Sequence, residues 1–433
     1  ICHQESYRRV KVDGTYIPDV ATMQISMLEA ARTVHTPTRI TCLQCHAKGG
    51  GGDNYKRGDL ALAHGTTEDR SFDVHMSRSG GDLKCQQCHF TEQHRMAGRG
   101  SDLRPTELDR EMRCASCHLE GGTETVHQSS VITRHVARVA CQVCHIPNYA
   151  RDAADTSAPE TTETHRDWRN PHETPSGAIH PTPILQGDLT PQYRWWNGQS
   201  TSYLLYDDAG VDQQTGRIPT SRPQGSIKSG QLYPFKYKTA TQPLVEGDNQ
   251  LIALDTSVYF STGDVVAAVV SGLTNMGYAP TEPYSWVETD TFQLITHEVA
   301  PRSEALSCQN CHTGNQRMDL TGKLGYQLKG PRSTLCVQCH KREDGEDEPE
   351  YLWVHDEHVR GERLDCSWCH LFSRPERNLT LAPIVERLSD LLIALKILVG
   401  SPVEPSVTLE DINGDNRIGM EEVIQLLKDS VVN

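Results

Sequence analysis

The chain has 433 residues, of which 36% are hydrophobic and only 6 are Phe, so an ordinary aliphatic and aromatic core is excluded as the main source of stability. Its formal net charge of -15 disfavours nucleic acid as a partner, because the phosphate backbone would repel it. The longest apolar run, Leu391 to Gly400, is interrupted by Lys396 and is too short to span a bilayer, so no transmembrane segment is expected.

Cysteine and histidine provide the strongest pattern in the chain. Two cysteines at CxxC spacing with histidine directly after them are the signature of covalent haem c attachment, in which both thiols bond the porphyrin and the histidine binds iron. Zinc ribbons also use CxxC pairs, but a zinc site would not place histidine after every second cysteine. Seven complete units account for 14 of the 15 cysteines: Cys42/Cys45/His46, Cys85/Cys88/His89, Cys114/Cys117/His118, Cys141/Cys144/His145, Cys308/Cys311/His312, Cys336/Cys339/His340 and Cys366/Cys369/His370.

The remaining cysteine opens the chain. Cys2 and His3 form the second half of the same motif, with the first cysteine expected upstream of Ile1. We therefore expect eight haems, seven from complete motifs and one at His3; a free N-terminal cysteine is the alternative. Because haem c is attached outside the cytoplasm, we expect a prokaryotic protein of the periplasm, the cell surface or the extracellular space.

The spacing of the motifs predicts four regions. Residues 1–150 hold five haem sites, residues 151–296 form a haem-free connection, residues 297–375 hold three haem sites, and residues 376–433 form a tail. We expect a mainly α fold with little regular structure, in which stacked haems replace the side-chain core. The connection is expected to be a mixed insertion with short strands and a helix, and the tail a small α-helical domain.

Local patterns predict several elements in chain order. Pro18 to Arg32 has apolar residues at helical spacing, and 151–190 is rich in Pro, Thr and Asp and predicts a long loop. Tyr193 to Gly198, Gln231 to Lys238 and 251–254 are aromatic or alternating and predict short strands. Thr262 to Gly277 predicts a helix with Thr at its start and Gly at its end.

Each iron needs a second axial ligand, and imidazole suits an electron carrier because both redox states keep it. Three histidines in the connection, His165, His172 and His180, are expected to be surface or structural residues. Chain order leaves open which of the other histidines serves which haem. The candidates within the haem-bearing segments are His35, His64, His75, His94, His127, His135, His297, His355 and His358.

The segment after His46 differs from the other haem sites. Four glycines, Gly49 to Gly52, precede Lys56, and their lack of side chains lets the backbone lie against a porphyrin and return the lysine to its iron. A ligating amine is deprotonated and binds less tenaciously than imidazole, so such a haem can exchange it for substrate. The alternative is a glycine-rich surface loop with a solvated lysine. Arg57 and nearby lysines are candidates for attracting an anion.

The tail contains a loop that fits the twelve-position calcium pattern. Asp411, Asn413, Asp415 and Glu422 occupy positions one, three, five and twelve, and Arg417 offers a backbone carbonyl. This tail resembles a dockerin or EF-hand-like repeat and predicts bound calcium; an acidic surface turn is the alternative.

The five-then-three order of motifs, the segment from Gly49 to Asp59, Trp195 to Gly198 and the region from His297 to Tyr326 resemble the octahaem tetrathionate reductase family of multihaem cytochromes. The resemblance covers roughly residues 1–375. It implies that Lys56 is the distal ligand and catalytic residue at the His46 haem, while the other haems are bis-histidine. The family's additional active-site cysteine would lie upstream of the first motif.

The resemblance implies a reductase of small sulfur or nitrogen oxyanions, namely tetrathionate and nitrite, and also of hydroxylamine, supplied with electrons by redox partner proteins. The second hypothesis is a non-catalytic extracellular conduit that passes electrons along stacked haems, as a homo-oligomer or polymerised filament. The haem motifs alone do not separate the two hypotheses, and the distal ligand of the His46 haem distinguishes them.

Overall fold

The computed structural model describes residues 2–12, 15–98, 108, 112–118, 127, 130–156, 160–174, 177–312, 317–330, 335, 354–362, 364 and 366–371. The chain divides into two compact units, Ile1–Asp319 and Leu320–Asn433. Six of the haem motifs, counting Cys2 and His3, lie in the first unit, and the motifs ending at His340 and His370 lie in the second.

Most of the helices in the first unit are short and carry haem motifs. A single helical turn places residues i and i+3 on one face, so both thiols of a CxxC pair point to the same side. None of the helices within the described residues has the length and hydropathy needed to cross a bilayer. The helices are α1 Met27–Arg32, α2 Arg39–His46, α3 Cys85–Cys88, α4 Ala115–His118, α5 Ser130–Val136, α6 Cys141–His145, α7 Thr256–Thr262, α8 Val265–Asn275 and α9 Cys308–His312.

The haem-free connection forms a mixed eight-stranded sheet in the order β6-β5-β10-β12-β9-β8, with β7 and β11 paired to β10. The long strand β10 lies antiparallel to β12 and parallel to β5. Two small hairpins, β1-β2 and β3-β4, lie in the N-terminal haem region. The strands are β1 Arg9–Val12, β2 Thr15–Pro18, β3 Thr91–Glu92, β4 Arg95–Met96, β5 Thr162–Glu173, β6 Ile179–Gln186, β7 Gln192–Trp196, β8 Ser200–Ser202, β9 Ile218–Pro223, β10 Gln231–Val245, β11 Gln250–Leu251 and β12 Tyr284–Leu294.

This eight-stranded sheet shows that the prediction of a mainly α fold is wrong. The predicted loop at 151–190 contains both β5 and β6. The strands were hidden because β5 is almost entirely polar, so it lacks the apolar alternation that marks a half-buried strand. Its Glu163 is nonetheless buried and pairs with Arg166 and with Lys238 of β10.

Two predicted helices are present with different bounds. Only the last part of Pro18 to Arg32 is helical, because Ser26 caps the N-terminus of α1. The helix predicted from Thr262 to Gly277 corresponds to α8. It starts after Asp264, whose side chain accepts the Ala267 N–H, and is followed by Gly277 with φ +87. One face of α8 packs against the sheet in a cluster of Val245, Ile252, Val269, Leu273 and Met276.

Gly230 lies directly before β10, very close to the backbone of Trp196 at the end of β7. It has φ +86, and a Cβ there would overlap the Trp196 carbonyl. Replacing Gly230 with alanine is expected to lower the free energy of unfolding by about 3 kcal/mol, from left-handed strain and overpacking together. Gly216 has φ +67 but nothing within 4 Å, so Gly216→Ala carries only the strain, about 1 kcal/mol. Denaturant unfolding of both variants measures the difference, and equal losses would contradict the steric argument.

Candidate functional site

Histidine rings face each other in pairs at the haem motifs. Within the described residues, six contacts each join a motif histidine, counting His3, to a histidine outside the motifs, and none of these twelve histidines is used twice. The distances between ring centroids are 6.1 Å for His3 and His94, 5.9 Å for His75 and His118, 6.4 Å for His89 and His297, 6.3 Å for His127 and His145, 6.1 Å for His135 and His312, and 6.1 Å for His355 and His370.

This spacing fits a metal ion between the rings. Because metal–imidazole bonds are about 2 Å long and each centroid lies about 1 Å behind its nitrogen, an iron between two facing rings separates their centroids by about 6 Å. Each pair also lies beside the thiols of its own CxxCH motif. The residues present therefore fit bis-histidine haem c. The pairing indicates which histidine would serve which haem, and this assignment stays a prediction.

Backbone carbonyls orient several of these rings. His3 Nδ1 donates to the His35 carbonyl at 2.9 Å, and His89 Nδ1 donates to the Ala97 carbonyl at 3.1 Å. A hydrogen bond at Nδ1 leaves Nε2 as the nitrogen available to a metal and fixes the plane of the ring. The two rings are thus arranged as axial ligands by the fold around them.

His94 reaches His3 from the tip of a tight hairpin. The β3 and β4 strands pair Thr91 with Met96 and Glu92 with Arg95, which leaves Gln93 and His94 as a two-residue turn. Both turn residues are left-handed, with φ 49 and 65, the conformation of a type I′ turn. Such φ values cost energy in residues with a Cβ, and iron ligation by His94 would offset that cost.

Two other candidate histidines lie elsewhere in the fold. His64 is fully buried, and its Nε2 lies 3.7 Å from Asp73 Oδ2 while its Nδ1 accepts the Ala61 N–H at 3.1 Å. The His35 ring Nδ1 donates to the Thr36 carbonyl at 2.7 Å, and its backbone supports His3. Within the described residues, no ring contact like those of the six pairs joins His35 or His64 to a motif histidine, so neither is assigned to a haem.

The last haem motif of the chain is built on a 3₁₀ turn. Cys366–Trp368 form a 3₁₀ helix, and the N–H groups of Cys369 and His370 donate to the Cys366 carbonyl at 3.2 and 2.8 Å. Residues three apart eclipse one another in such a turn, so the thiols of Cys366 and Cys369 share one side of it. Both thiols are half-buried beside His370, whose ring faces His355. Haem attachment at Cys366 and Cys369 stays a prediction that this geometry supports.

The preceding motif cannot be placed in the same way. Cys336, Cys339 and His340 lie outside the described residues, so the haem predicted there stays a prediction. His358, in the same unit, donates from Nδ1 to the Val354 carbonyl at 2.9 Å. Whether His358 serves the His340 haem stays a prediction for the same reason.

The histidines of the connection take part in the sheet. His165 bonds Thr239 Oγ1 at 2.8 Å. His180 packs against Phe260, with 5.6 Å between ring centroids. His172 lies opposite His180 in the pairing of β5 with β6. These contacts are those expected of structural histidines.

Successive motifs of the first unit lie side by side. A thioether would fix each porphyrin edge to its cysteine, so neighbouring thiols would bring neighbouring haem edges together. This arrangement connects the sites of His46, His89, His118, His145 and His312 in chain order. The thiols in contact or within electrostatic range are Cys42 with Cys85, Cys88 with Cys117, Cys114 with Cys141, and Cys144 with Cys308 and Cys311.

The segment after His46 turns back on the helix that carries the motif. The Asn54 N–H donates to the Ala47 carbonyl at 2.9 Å, and the Lys56 N–H donates to the Gly49 carbonyl at 3.1 Å. A Cβ on Gly49 would lie 3.3 Å from Lys56 Cδ and 3.9 Å from the Cys45 carbonyl oxygen. The stem of Lys56 therefore lies over a glycine beside the Cys45/His46 end of α2, and its side chain is exposed.

Glycine is required in this loop by its neighbours. Gly51 has φ +104, and a Cβ there would lie 2.8 Å from His180 Nδ1. A Cβ on Gly52 would lie 2.5 Å from the Tyr55 ring. The run of glycines thus lets the loop pass between the sheet and its own aromatic residue.

The side chain of Lys236 in β10 holds the backbone of the loop that carries Lys56. Its ammonium is fully buried and donates to the carbonyls of Tyr55 at 2.6 Å and Lys56 at 3.1 Å and to Thr162 Oγ1 at 2.5 Å. Burial lowers the pKa of Lys236 to about 7, with Lys238 acting in the same direction. Sequence reasoning missed this residue, because a lysine within a strand ordinarily points to solvent.

Arg57, which is half-buried, forms an ion pair with the buried carboxylate of Asp59 at the end of the loop. Arg57 donates from Nε and Nη2 to the two carboxylate oxygens at 3.0 and 3.1 Å. Burial by itself would raise the pKa of Asp59, but Arg57 and a hydrogen bond from His297 hold this pKa well below its usual range. The guanidinium is therefore engaged by the protein, whereas the sequence analysis considered it for attracting an anion.

Paired imidazoles beside CxxCH motifs define the class of the protein, which is a multihaem c-type cytochrome. Residues 165–315 match the family described as bacterial cytochrome c. The structure is similar to the octahaem cytochrome c of Shewanella oneidensis, with 28% sequence identity and a TM-score of 0.60, over 75% of this chain and 74% of that chain. A search of curated proteins found no match. Electron transfer is the general role that this likeness supports.

The predicted calcium loop could not be located, since Asp411, Asn413, Asp415, Arg417 and Glu422 lie outside the described residues. Within the residues that are described, no cluster of three or more His, Cys, Asp or Glu side chains forms a further metal site. Calcium in the tail therefore stays a prediction.

Proposed function

We propose that the protein passes electrons along adjacent bis-histidine haems to a haem at His46, where Lys56 is the distal ligand and a small sulfur or nitrogen oxyanion is reduced. The observation that supports this most is the returning loop, which places the stem of Lys56 over Gly49 beside the haem-attachment helix. Bound haem supplies one-electron redox chemistry. The chain contributes the attachment thiols, the axial ligands and the position of the lysine.

An amine in place of imidazole makes this site different from the six paired ones. The loop carbonyls that receive the Lys236 ammonium fix the backbone at Lys56, so the amine is delivered from a preorganised position. Its exposed side chain leaves an approach from solvent for a small anion. Tetrathionate, nitrite and hydroxylamine are the substrates to test, and a periplasmic location is proposed because haem c is attached outside the cytoplasm.

A conduit without catalysis is the second candidate. The contiguous thiols from Cys42 to Cys311 favour it, since a row of adjacent haems serves long-range transfer equally well. In that case the His46 haem would hold its distal ligand permanently, and turnover with all three substrates would be absent.

Replacing Lys56 with histidine tests the proposal. Imidazole binds iron more tenaciously than the amine, so the variant is expected to lose at least about tenfold in kcat while its haem count stays unchanged. Reductive turnover with an artificial electron donor measures kcat, and mass spectrometry counts the haems. Lys228→His, at an exposed lysine outside this loop, is the matched control and should leave turnover as it is.

The outcomes separate the two candidates. A wild-type protein that accepts electrons but consumes none of the three substrates would support the conduit. Turnover that survives in Lys56→His would place the reactive haem elsewhere.

A further inference from the structure

The loop that carries Lys56 also reaches the distal ligand of the neighbouring haem site. Asp59 Oδ2 lies 3.3 Å from His297 Nδ1, and the His297 ring faces His89 with an interplanar angle of 24°. Cys85 of that motif lies against Cys42 of the His46 motif. One short segment thus serves two adjacent haem sites.

The carboxylate also fixes the backbone of the ligand. Asp59 Oδ2 accepts the Thr296 N–H at 2.6 Å and the His297 N–H at 3.0 Å, and Asp59 is fully buried. With the backbone and Nδ1 of His297 both held by one carboxylate, its ring has a fixed plane and presents Nε2 to His89. This is the carboxylate–histidine–metal arrangement of metal sites.

Arg57 sets the charge that the imidazole experiences. It is bidentate to Asp59, and its Nη2 also donates to the Leu294 carbonyl at 3.1 Å. The guanidinium compensates the carboxylate partly and locks its orientation. Asp59 and Arg57 therefore have opposite electrostatic effects on the His297 imidazole.

We propose that Asp59 is a positioning residue for His297 and that its negative charge lowers the reduction potential of the haem between His89 and His297. A carboxylate that accepts the Nδ1 proton makes the imidazole a stronger donor and stabilises the oxidised iron. A lower potential favours transfer of an electron from this haem to the adjacent His46 haem. The transfer oxidises the donor haem and reduces the His46 haem. The inference rests on bis-histidine ligation and is independent of the acceptor reduced at Lys56.

Asp59→Asn and Arg57→Gln test the proposal with opposite expected signs. Asp59→Asn removes the negative charge but keeps the shape, so one haem should shift to a higher potential. Arg57→Gln removes the compensating charge, and the same haem should shift to a lower potential. Spectropotentiometric titration of the holoprotein measures both shifts, and His297→Met identifies the redox step that belongs to this haem.

A spectroscopic readout separates positioning from a general loss of structure. Near-parallel imidazoles give a rhombic low-spin ferric signal in electron paramagnetic resonance, and the angle of 24° predicts that form here. In Asp59→Asn the released ring should change this signal, whereas Asp59→Glu should keep the potential close to that of the wild type.

Potentials that move in the same direction in Asp59→Asn and Arg57→Gln, or that do not move, would overturn the proposal. If Asp59→Asn does not yield holoprotein, Arg57→Gln decides, because a lowered potential supports the proposal and an unchanged one contradicts it. Opposite shifts in a protein that reduces no oxyanion would uphold this inference while refuting the reductase function.

Discussion

Replacing His135 with alanine is expected to convert one haem from low-spin to high-spin. Its ring faces His312 at 6.1 Å, so removing it leaves that iron with a single protein ligand. Electron paramagnetic resonance and near-infrared magnetic circular dichroism of the oxidised protein report the spin state, and mass spectrometry verifies that the haem count is unchanged. His75→Ala should act in the same way at the His118 haem.

His64 provides the matched control for this prediction. It was an equal candidate in the sequence, but it is buried against Phe72 at 4.4 Å between ring centroids and lies 3.7 Å from Asp73. His64→Ala should lower the free energy of unfolding by about 2–4 kcal/mol through the cavity it leaves, with every haem still low-spin. A high-spin signal in His64→Ala, or an unchanged spectrum in His135→Ala, would contradict the pairing.

Replacing Lys236 with methionine is expected to lower the free energy of unfolding by about 3 kcal/mol, because buried acceptors then lack their donor. Those acceptors are the carbonyls of Tyr55 and Lys56 and the Thr162 hydroxyl. Since two of them belong to the loop, the absorption bands of the His46 haem should change as well. Denaturant unfolding and optical spectra measure the two effects.

Lys228→Met is the control for this substitution. Lys228 is exposed, so the variant should change stability by less than about 0.5 kcal/mol and leave the spectrum alone. If Lys236→Met behaves like this control, the loop is held by other contacts.

The sequence was sufficient to predict haem c, because its signature is local and repeated. The sequence did not predict which histidine lies opposite each motif histidine. His297 and Asp59 are 238 residues apart, and His89 is also far from His297 along the chain, so only the folded chain brings them together. Local spacing carries no information about contacts of that range.

Only part of the sheet could be predicted, for a related reason. The predicted strands at Tyr193 to Gly198, Gln231 to Lys238 and 251–254 overlap β7, β10 and β11, whereas β5 and β6 were missed. Strand detection depends on alternating apolar residues, whereas β5 and β10 bury charged side chains that pair with each other. Glu163 and Lys236 are both buried, one in an ion pair and the other under the Lys56 loop. Strand β5, which is almost entirely polar, therefore looks like a loop in the sequence.

The contact between Asp59 and His297 also couples the folding of the sheet to this haem site. Strand β12 ends at Leu294, and Asp59 accepts the N–H groups of Thr296 and His297 directly after it. His297 therefore takes its place opposite His89 only when the end of β12 lies against the segment that carries Asp59. Pairing of β12 in the sheet and positioning of His297 are thus one step of folding.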